Sequence, residues 1–500
     1  MWSSLTLILV LSGILTYLIL RQTVSQLITV PLWLLWLVLM TPPVLTGVTI
    51  ALDKQIPPLP VAVVFCSISW LIYWRLVSLS RRNPSPKMVD RSTNSAEIVP
   101  VNPPEQLEAA IPVRPIDSAE EATLRTCFAW NVFFLDKIEY RPQAVLCRGK
   151  LRTDSDTAFK TIKENVERLF GDRFFVLFQY SLSTGKPFFA LVPYSPPPVI
   201  PAWQWWLDRV IGLVLLCMTL LSTTYFGAAL VRAHTGEISS IIQAGLPYGL
   251  SIVASLGIRD LGRYLVARYY RIDTSFPYFI PLPFLPGTYG CLMQLRSPIP
   301  SRKAVFDLGF VSSILGLAVA IPILFWGLAH SQIVPIDPKA TLFSFHALNP
   351  RFSLLFSLLS KLALGAKLGA DQAINLSNVA IAAYLSLLIL TINLMPLRRL
   401  DGGHIVHGMF GQKPSAIVSQ FSKVILLILG FIRFKASSFG HTDLLFLAII
   451  VSLIPAIDEP ALNDVSELNN WRDTLGIIML AITLSILIPV PTMFLELLSL

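Results

Sequence analysis

Two stretches of this 500-residue chain place ionisable side chains at the ends of long apolar runs. The first stretch contains Arg259, Asp260 and Arg263, and the second contains Asp401. Arg259 and Arg263 are four residues apart, so on a helix they share one face. Inserting such a group into a membrane costs about 2.5–3.5 kcal/mol, which makes each one a functional candidate. Two carboxylates can bind a hard metal ion, whereas two arginines can bind an anion or pair with a carboxylate.

The composition indicates that these groups belong to a membrane protein. The chain is 54% hydrophobic and only 14% charged, with a mean hydropathy of +0.65. An ordinary soluble protein is about 25% charged. This composition excludes a soluble enzyme, a disordered tail and a disulfide scaffold, and it indicates a polytopic membrane protein. The net charge of +9 is typical of basic cytoplasmic loops rather than of nucleic-acid binding.

Eight charge-free runs are long enough to cross a bilayer, which takes about 20 apolar residues. They cover residues 1–20, 22–52, 55–74, 210–231, 238–258, 308–336, 372–397 and 474–495. Two shorter runs, 418–432 and 444–457, are further candidates. We therefore expect an all-α polytopic membrane protein with about 8–10 transmembrane helices and an inserted small α/β soluble domain.

The chain is expected to divide into four parts. These are N-terminal transmembrane helices (1–80), a Pro- and Ser-rich linker (81–117), a small α/β domain (118–200) and a transmembrane core (201–500). The pattern within the small domain predicts a strand at 144–150, a helix at 158–170 and a hairpin of 174–180 with 187–192. The stripe expected to be buried on the helix is Phe159, Ile162, Val166 and Leu169. Basic residues after the third, fifth and seventh runs place this domain on the cytoplasmic side.

The second stretch contains a longer motif. Asn393, Pro396, Asp401, Gly402 and Gly403 are similar to the N-x-x-P-x-x-x-L-D-G-G signature of the site-2 protease family of intramembrane zinc metalloproteases, and most closely to its cyanobacterial and plastid branch. The resemblance covers roughly residues 120 to 460. It implies a zinc ion held by two histidines of a His-Glu-x-x-His motif and by the aspartate, with the glutamate activating water.

The first stretch departs from that family. Arg259, Asp260 and Arg263 stand where the resemblance implies His, Glu and His. A guanidinium stays protonated and has no lone pair for a metal. Asp260 is one methylene shorter than the expected general base, and Asp401 alone cannot hold a catalytic zinc. We therefore expect no zinc cofactor and no peptidase activity, with Arg259 or Arg263 paired to Asp401 in place of the metal. The alternative is that both arginines extend to the cytoplasmic interface of the membrane.

A proline- and glycine-rich segment lies between the two stretches. Residues 276–296 include Pro277, Gly287 and Gly290, and no helix survives this density of prolines. We expect a re-entrant or interfacial loop that is buried against protein. In the family, the matching region supplies extended backbone that can pair with an unwound substrate. Strand addition needs no metal, so the segment is predicted to clamp a membrane segment, with a purely structural hairpin as the alternative.

These expectations lead to one functional hypothesis with alternatives. The hypothesis is a site-2-protease-like pseudoprotease of a bacterial plasma or thylakoid membrane, with a plastid membrane less favoured. It would bind transmembrane segments of other membrane proteins or regulate an active relative, and would bind no nucleic acid. One alternative is a metalloendopeptidase of weak or altered activity, with zinc or with a hard metal on Asp260 and Asp401. Others are an anion or solute pathway lined by the two arginines, and a metal site rebuilt from Asp401, His404 and His407.

Overall fold

The computed structural model of the chain describes most of its second half and little of its first 115 residues. The described residues are 33–38, 40, 41, 69, 72, 116–491 and 494. Gaps in the long range fall at 142–143, 182–184, 195–201, 232–237, 283–285, 338–339, 341, 370–371, 398, 437–447 and 450–460. Most of the predicted linker therefore lies outside the described residues. The same holds for the spans predicted at 1–20, 22–52, 55–74 and 444–457. Residues 115–500 form one compact unit, which carries every feature described below.

The inserted domain, which we call the insert, is a four-stranded antiparallel sheet with two helices. Its elements are α1 (Ser118–Cys127), β1 (Phe133–Arg141), β2 (Ala144–Leu151), α2 (Ser155–Phe170), β3 (Phe174–Tyr180) and β4 (Pro187–Pro193). The strand order is β1-β2-β4-β3, so β3 is an edge strand. The predicted strand, helix and hairpin are confirmed, whereas β1 was not predicted. The buried residues of α2 are Ala158, Ile162, Val166 and Phe170, with Phe159 partly buried against the same core. The Leu169 side chain is 49% exposed, so the predicted stripe was wrong at Leu169.

The membrane core is made of helices. Its helices are α3 (Ala202–Leu230), α4 (Ile238–Tyr269), α5 (Arg302–Ala329), α6 (Leu354–Leu364), α7 (Asn378–Leu394), α8 (Asp401–Phe410), α9 (Gln412–Ala436) and α10 (Asn470–Leu487). Among the described residues, five helices are long and apolar enough to cross a membrane, namely α3, α4, α5, α9 and α10. These helices and the insert confirm the predicted fold class, a polytopic membrane protein with an inserted α/β domain.

Two of the predicted spans have other bounds in the structure: α5 already begins at Arg302, and α7 has only 17 residues. The run 308–336 leaves the helix at Ala329 and continues as β7 (Gln332–Pro335). The run 372–397 begins with β8 (Gln372–Asn375), which pairs with β7 in antiparallel register. The Ser377 hydroxyl then accepts from the Ala380 N–H and starts α7. Hydropathy alone extended both spans into this strand pair, because apolar strands that pair satisfy their backbone groups as well as a helix does.

Close backbone approaches bring four helices together at one point. A Cβ on Gly402 would lie 2.0 Å from the Leu394 carbonyl oxygen, and one on Gly309 would lie 2.4 Å from the Asp401 carbonyl oxygen. A Cβ on Gly316 would lie 2.6 Å from the Leu390 side chain and 3.2 Å from the Arg259 Cβ. These three glycines therefore let α5 and α7 press against the first turn of α8 and against α4.

Replacing Gly402 with alanine tests this packing. We expect the variant to lose about 1–3 kcal/mol of stability, towards the upper end, because the new methyl group meets backbone rather than a flexible side chain. Thermal unfolding in detergent measures the loss. Gly369→Ala is the matched control, since the nearest atom to its added Cβ is 3.7 Å away. Equal melting temperatures for the two variants would contradict the close approach.

Candidate functional site

Asp401 is the centre of a buried ionic cluster. Its side chain has no solvent exposure, and its Oδ2 accepts hydrogen bonds from Arg259 Nε at 3.1 Å and Nη2 at 2.6 Å. Its Oδ1 accepts from Arg263 Nη1 at 3.2 Å. Arg259 Nη1 also lies 3.3 Å from both carboxylate oxygens of Asp260. We call Arg259, Asp260, Arg263 and Asp401 the arginine–aspartate cluster. The predicted ion pair with Asp401 is confirmed, and both arginines take part.

The helix geometry explains why these groups meet. Arg259 and Arg263 project from one face of α4, one turn apart, towards the start of α8. Asp401 is the first residue of α8 and follows Leu400, whose backbone is extended. The cluster is neutral when all four groups are ionised. Buried charges without partners are strongly destabilising, so each group holds the others in place.

The other residues of the signature shape the turn between α7 and α8. The Asn393 amide donates to the Ile389 carbonyl oxygen of its own helix at 2.8 Å. Pro396 lies in the turn, and Gly402 and Gly403 are buried in the first turn of α8. Asn393, Pro396 and the two glycines therefore form the backbone that presents Asp401, and the structure gives them no direct contact with the arginines.

The histidines of α8 do not join the cluster as metal ligands. His407 Nε2 lies 2.7 Å from Asp464 Oδ1, so this imidazole pairs with a carboxylate outside the cluster. His404 is buried one turn after Asp401. No group of three His, Cys, Asp or Glu side chains among the described residues could hold a metal ion. Among the remaining histidines, His234 and His441 lie outside the described residues.

The cluster does not fit a zinc ion. A zinc site needs lone pairs from nitrogen, sulfur or oxygen at about 2.0–2.3 Å. Two of the four groups here are guanidiniums, which only donate hydrogen bonds. Both carboxylate oxygens of Asp401 accept hydrogen bonds from the arginines, Oδ2 from Arg259 and Oδ1 from Arg263. A guanidinium thus stands where the resemblance implies the metal.

The proline- and glycine-rich segment forms a β-hairpin beside the cluster. Its strands are β5 (Tyr278–Pro281) and β6 (Thr288–Leu292), which pair in antiparallel register. Gly287 and Gly290 have φ angles of 89° and 101°, which favour glycine over any L side chain. A Cβ on Gly290 would meet no atom within 4 Å, so there is free space beside β6. The hairpin agrees with the predicted loop, whereas its predicted role as a clamp stays a prediction.

Two side chains of neighbouring helices fix the tip of this hairpin. The Ser222 hydroxyl on α3 donates to the Gly287 carbonyl oxygen at 2.7 Å. The Tyr248 hydroxyl on α4 donates to the Pro286 carbonyl oxygen at 3.0 Å. The Phe279 ring lies against Gly257, two residues before Arg259. The hairpin is therefore anchored to the same helix that carries the two arginines.

Sequence reasoning missed a second ionic group at the start of α5. Asp307 accepts two hydrogen bonds from Arg472, from Nε and Nη2, both at 2.9 Å. The Tyr270 hydroxyl donates to Asp307 Oδ2 at 2.6 Å. The available signal was Arg472 itself, an ionisable residue in the first turn of an apolar helix. This group joins α5 to α10 and stabilises the core.

Comparisons with known proteins agree with the motif. Residues 249–434 match the family model "Peptidase family M50", and residues 122–197 match the model "EGY3 middle domain". "Probable zinc metalloprotease EGY2, chloroplastic" of Arabidopsis thaliana is 26% identical over 370 residues, which cover 73% of this chain and 64% of that protein. "Probable zinc metalloprotease EGY1, chloroplastic" of Oryza sativa subsp. japonica is 25% identical over 415 residues, which cover 75% and 68%. The chain thus spans about two thirds of the length of these relatives, and no solved structure matches it.

Proposed function

Because this chain belongs to the site-2 protease family, peptidase family M50, we propose that it is a pseudoprotease that keeps the family scaffold without its hydrolytic chemistry. It binds transmembrane segments of other membrane proteins or regulates an active relative. The observation that carries this proposal is the 2.6 Å ion pair between Arg259 and Asp401. It occupies the position where the resemblance implies zinc.

The chemistry of the cluster supports the loss of hydrolysis. Peptide hydrolysis needs an activated water, which a zinc peptidase obtains because the metal lowers the pKa of bound water to about 7. A guanidinium supplies no such coordination. Asp260 stands at the general-base position, but both of its carboxylate oxygens face Arg259 Nη1. Asp260 therefore lies against a guanidinium, which cannot coordinate and activate a water.

Two features support the retention of binding. The hairpin of β5 and β6 offers extended backbone beside the arginine–aspartate cluster, which suits strand addition by an unwound segment. Arg263 Nε is buried and has no hydrogen-bond partner among the described residues. A buried donor without a partner costs about 1–3 kcal/mol, so an acceptor is favoured there. A backbone carbonyl oxygen of the bound segment supplies one.

The similarity to zinc metalloproteases favours a second candidate. Those proteins are named as zinc metalloproteases, so a metallopeptidase of weak or altered activity is the alternative for this chain. It requires Arg259 to leave Asp401 and a metal to take its place. The anion pathway has less support, since both arginines are paired with carboxylates and the cluster carries no excess positive charge.

The basic residues that flank the spans of the core favour one orientation of the chain in the membrane. Five apolar helices make the chain an integral membrane protein. We place the insert on the cytoplasmic side of a bacterial plasma or thylakoid membrane, because basic residues flank the spans on that side. Lys303, just inside the start of α5, forms an ion pair with Asp156 of the insert at 2.7 Å, which supports this placement.

A binding and cleavage assay tests the proposal. The purified chain in lipid nanodiscs is mixed with a fluorescent single-span peptide whose helix is interrupted by Gly-Pro. We expect saturable binding by fluorescence anisotropy and no cleavage products by mass spectrometry, with or without added zinc. Arg263→Lys keeps the charge opposite Asp401 but removes the Nε donor, so it is expected to weaken binding about tenfold, or 1.4 kcal/mol. Cleavage fragments, or an absence of binding, would refute the proposal.

A further inference from the structure

A short segment after the last gap forms an isolated parallel β-bridge with the edge strand of the insert. The N–H of Phe178, in the middle of edge strand β3, donates to the Leu462 carbonyl oxygen at 2.6 Å. The Phe178 carbonyl oxygen accepts from the Asp464 N–H at 2.9 Å. Val465 is 2% exposed and belongs to the hydrophobic core of the insert. We call residues 461–466 the bracket.

The other edge of the bracket is bonded to the membrane core. The Leu462 N–H donates to the Ile299 carbonyl oxygen at 2.8 Å, and the Asn463 N–H donates to the Pro300 carbonyl oxygen at 3.1 Å. The Arg302 N–H, at the start of α5, donates to the Asn463 carbonyl oxygen at 3.2 Å. The bracket therefore lies between the insert and α5, with backbone hydrogen bonds on both sides.

The bracket also holds the end of α8 opposite Asp401. Asp464 Oδ1 lies 2.7 Å from His407 Nε2, and Asp464 Oδ2 accepts from the Gln412 N–H at 3.1 Å. Arg302 donates to the last carbonyl oxygens of α8, at Gly408 and Met409, at 3.0 and 2.6 Å. One helix of ten residues thus has the arginine–aspartate cluster at its first residue and the bracket at its last turn.

A side-chain tether reinforces the seating of the insert on the core. Lys303 Nζ donates to Asp156 Oδ2 at 2.7 Å. Burial raises the pKa of Asp156, but hydrogen bonds from Lys303 and Ser466 outweigh it and hold that pKa below its usual value. The insert, the bracket and α5 are consequently joined by both backbone and side-chain contacts.

We propose that the bracket couples the insert to the arginine–aspartate cluster, so that loosening the insert loosens α8 and the hold on Asp401. A change at the insert, such as the binding of a partner, would then regulate the segment-binding site. The regulation of that site rests on the proposed function. The coupling itself does not need any bound segment. Its physical basis is that α8 is one rigid helix with a contact at each end.

Hydrogen exchange measured by mass spectrometry tests the coupling in the full chain. Ile162→Ala removes buried side-chain atoms from the core of the insert, to which Val465 of the bracket also belongs, and it leaves the sequence of the bracket and of α8 unchanged. We expect it to raise exchange at least tenfold in residues 174–180 and also in residues 404–410. In an Asp464→Asn background, which weakens the link to His407, the same change should raise exchange in 174–180 but not further in 404–410.

The outcomes separate coupling from function. Unchanged exchange at 404–410 in Ile162→Ala, with faster exchange at 174–180, would overturn the coupling. If that variant does not fold, the milder Ile162→Val answers the same question. Glu167→Gln, an exposed change on the same helix, is the matched control and should alter neither segment. If the wild-type chain does not bind the peptide, the proposed function is refuted. The exchange experiment still tests the coupling in that case.

Discussion

Replacing Asp401 with asparagine is expected to lower the stability of the membrane core by about 3–5 kcal/mol. Asp401 is fully buried and accepts three hydrogen bonds from Arg259 and Arg263. An amide has the same shape but no charge, so the two guanidiniums would be left with Asp260 as their only carboxylate in the cluster. Breaking a buried pair from one side costs far more than the pair contributes, because the remaining charge stays desolvated. Thermal and denaturant unfolding in nanodiscs measure the loss.

A surface carboxylate provides the control for this variant. Glu167 pairs with Lys163 at 3.6 Å, and both side chains are more than two fifths exposed. An exposed pair of this kind contributes about 0.3–0.5 kcal/mol, so Glu167→Gln should be nearly neutral. If Asp401→Asn were as mild as Glu167→Gln, the cluster would not be a structural replacement for a metal.

Restoring the family motif is expected to create a zinc site. The triple variant Arg259→His, Asp260→Glu, Arg263→His places two imidazoles on the face of α4 that already reaches Asp401. Two histidines at i and i+4 plus a carboxylate complete a three-ligand site with an open fourth position. Structural zinc sites in peptides have apparent binding free energies of about 10–16 kcal/mol at pH 7, so zinc should remain bound through gel filtration. Elemental analysis by mass spectrometry measures the number of zinc ions per chain.

A fourth substitution controls the gain of zinc. Adding Asp401→Asn to the triple variant removes the third ligand and should abolish stoichiometric zinc while leaving both histidines in place. Zinc should also raise the melting temperature of the triple variant and not that of the wild-type chain, because a ligand that binds only the folded state stabilises it. A folded triple variant without zinc would mean that the scaffold no longer presents a family-like site.

The part of the site that the sequence predicts is the part governed by local geometry. The spacing of Arg259 and Arg263 places them on one helix face, and the motif around Asp401 sets where the facing carboxylate lies. The density of prolines in residues 276–296 excludes a helix, and the structure has a hairpin there. Each of these inferences depends on residues that are close in sequence or on one motif.

The features that were missed depend on contacts between distant parts of the chain. His407 meets Asp464 across 57 residues, and Arg472 meets Asp307 across 165. The strand pair of β7 and β8 is invisible to hydropathy, since its residues are as apolar as the helices beside them. On α2, Phe170 is buried in place of Leu169 because the stripe starts one residue earlier, at Ala158. Periodicity locates an amphipathic helix more securely than it locates the edge of its buried face.

The zinc content of the unaltered chain is the direct test of whether Arg259 has replaced the metal. The protein is purified from membranes without chelators, beside Asp401→Asn, and both are analysed for metals. We predict that the zinc content of the wild-type chain stays at the background level of the variant, because Arg259 occupies the place of the metal. Stoichiometric zinc in the wild-type chain that disappears in Asp401→Asn would contradict it.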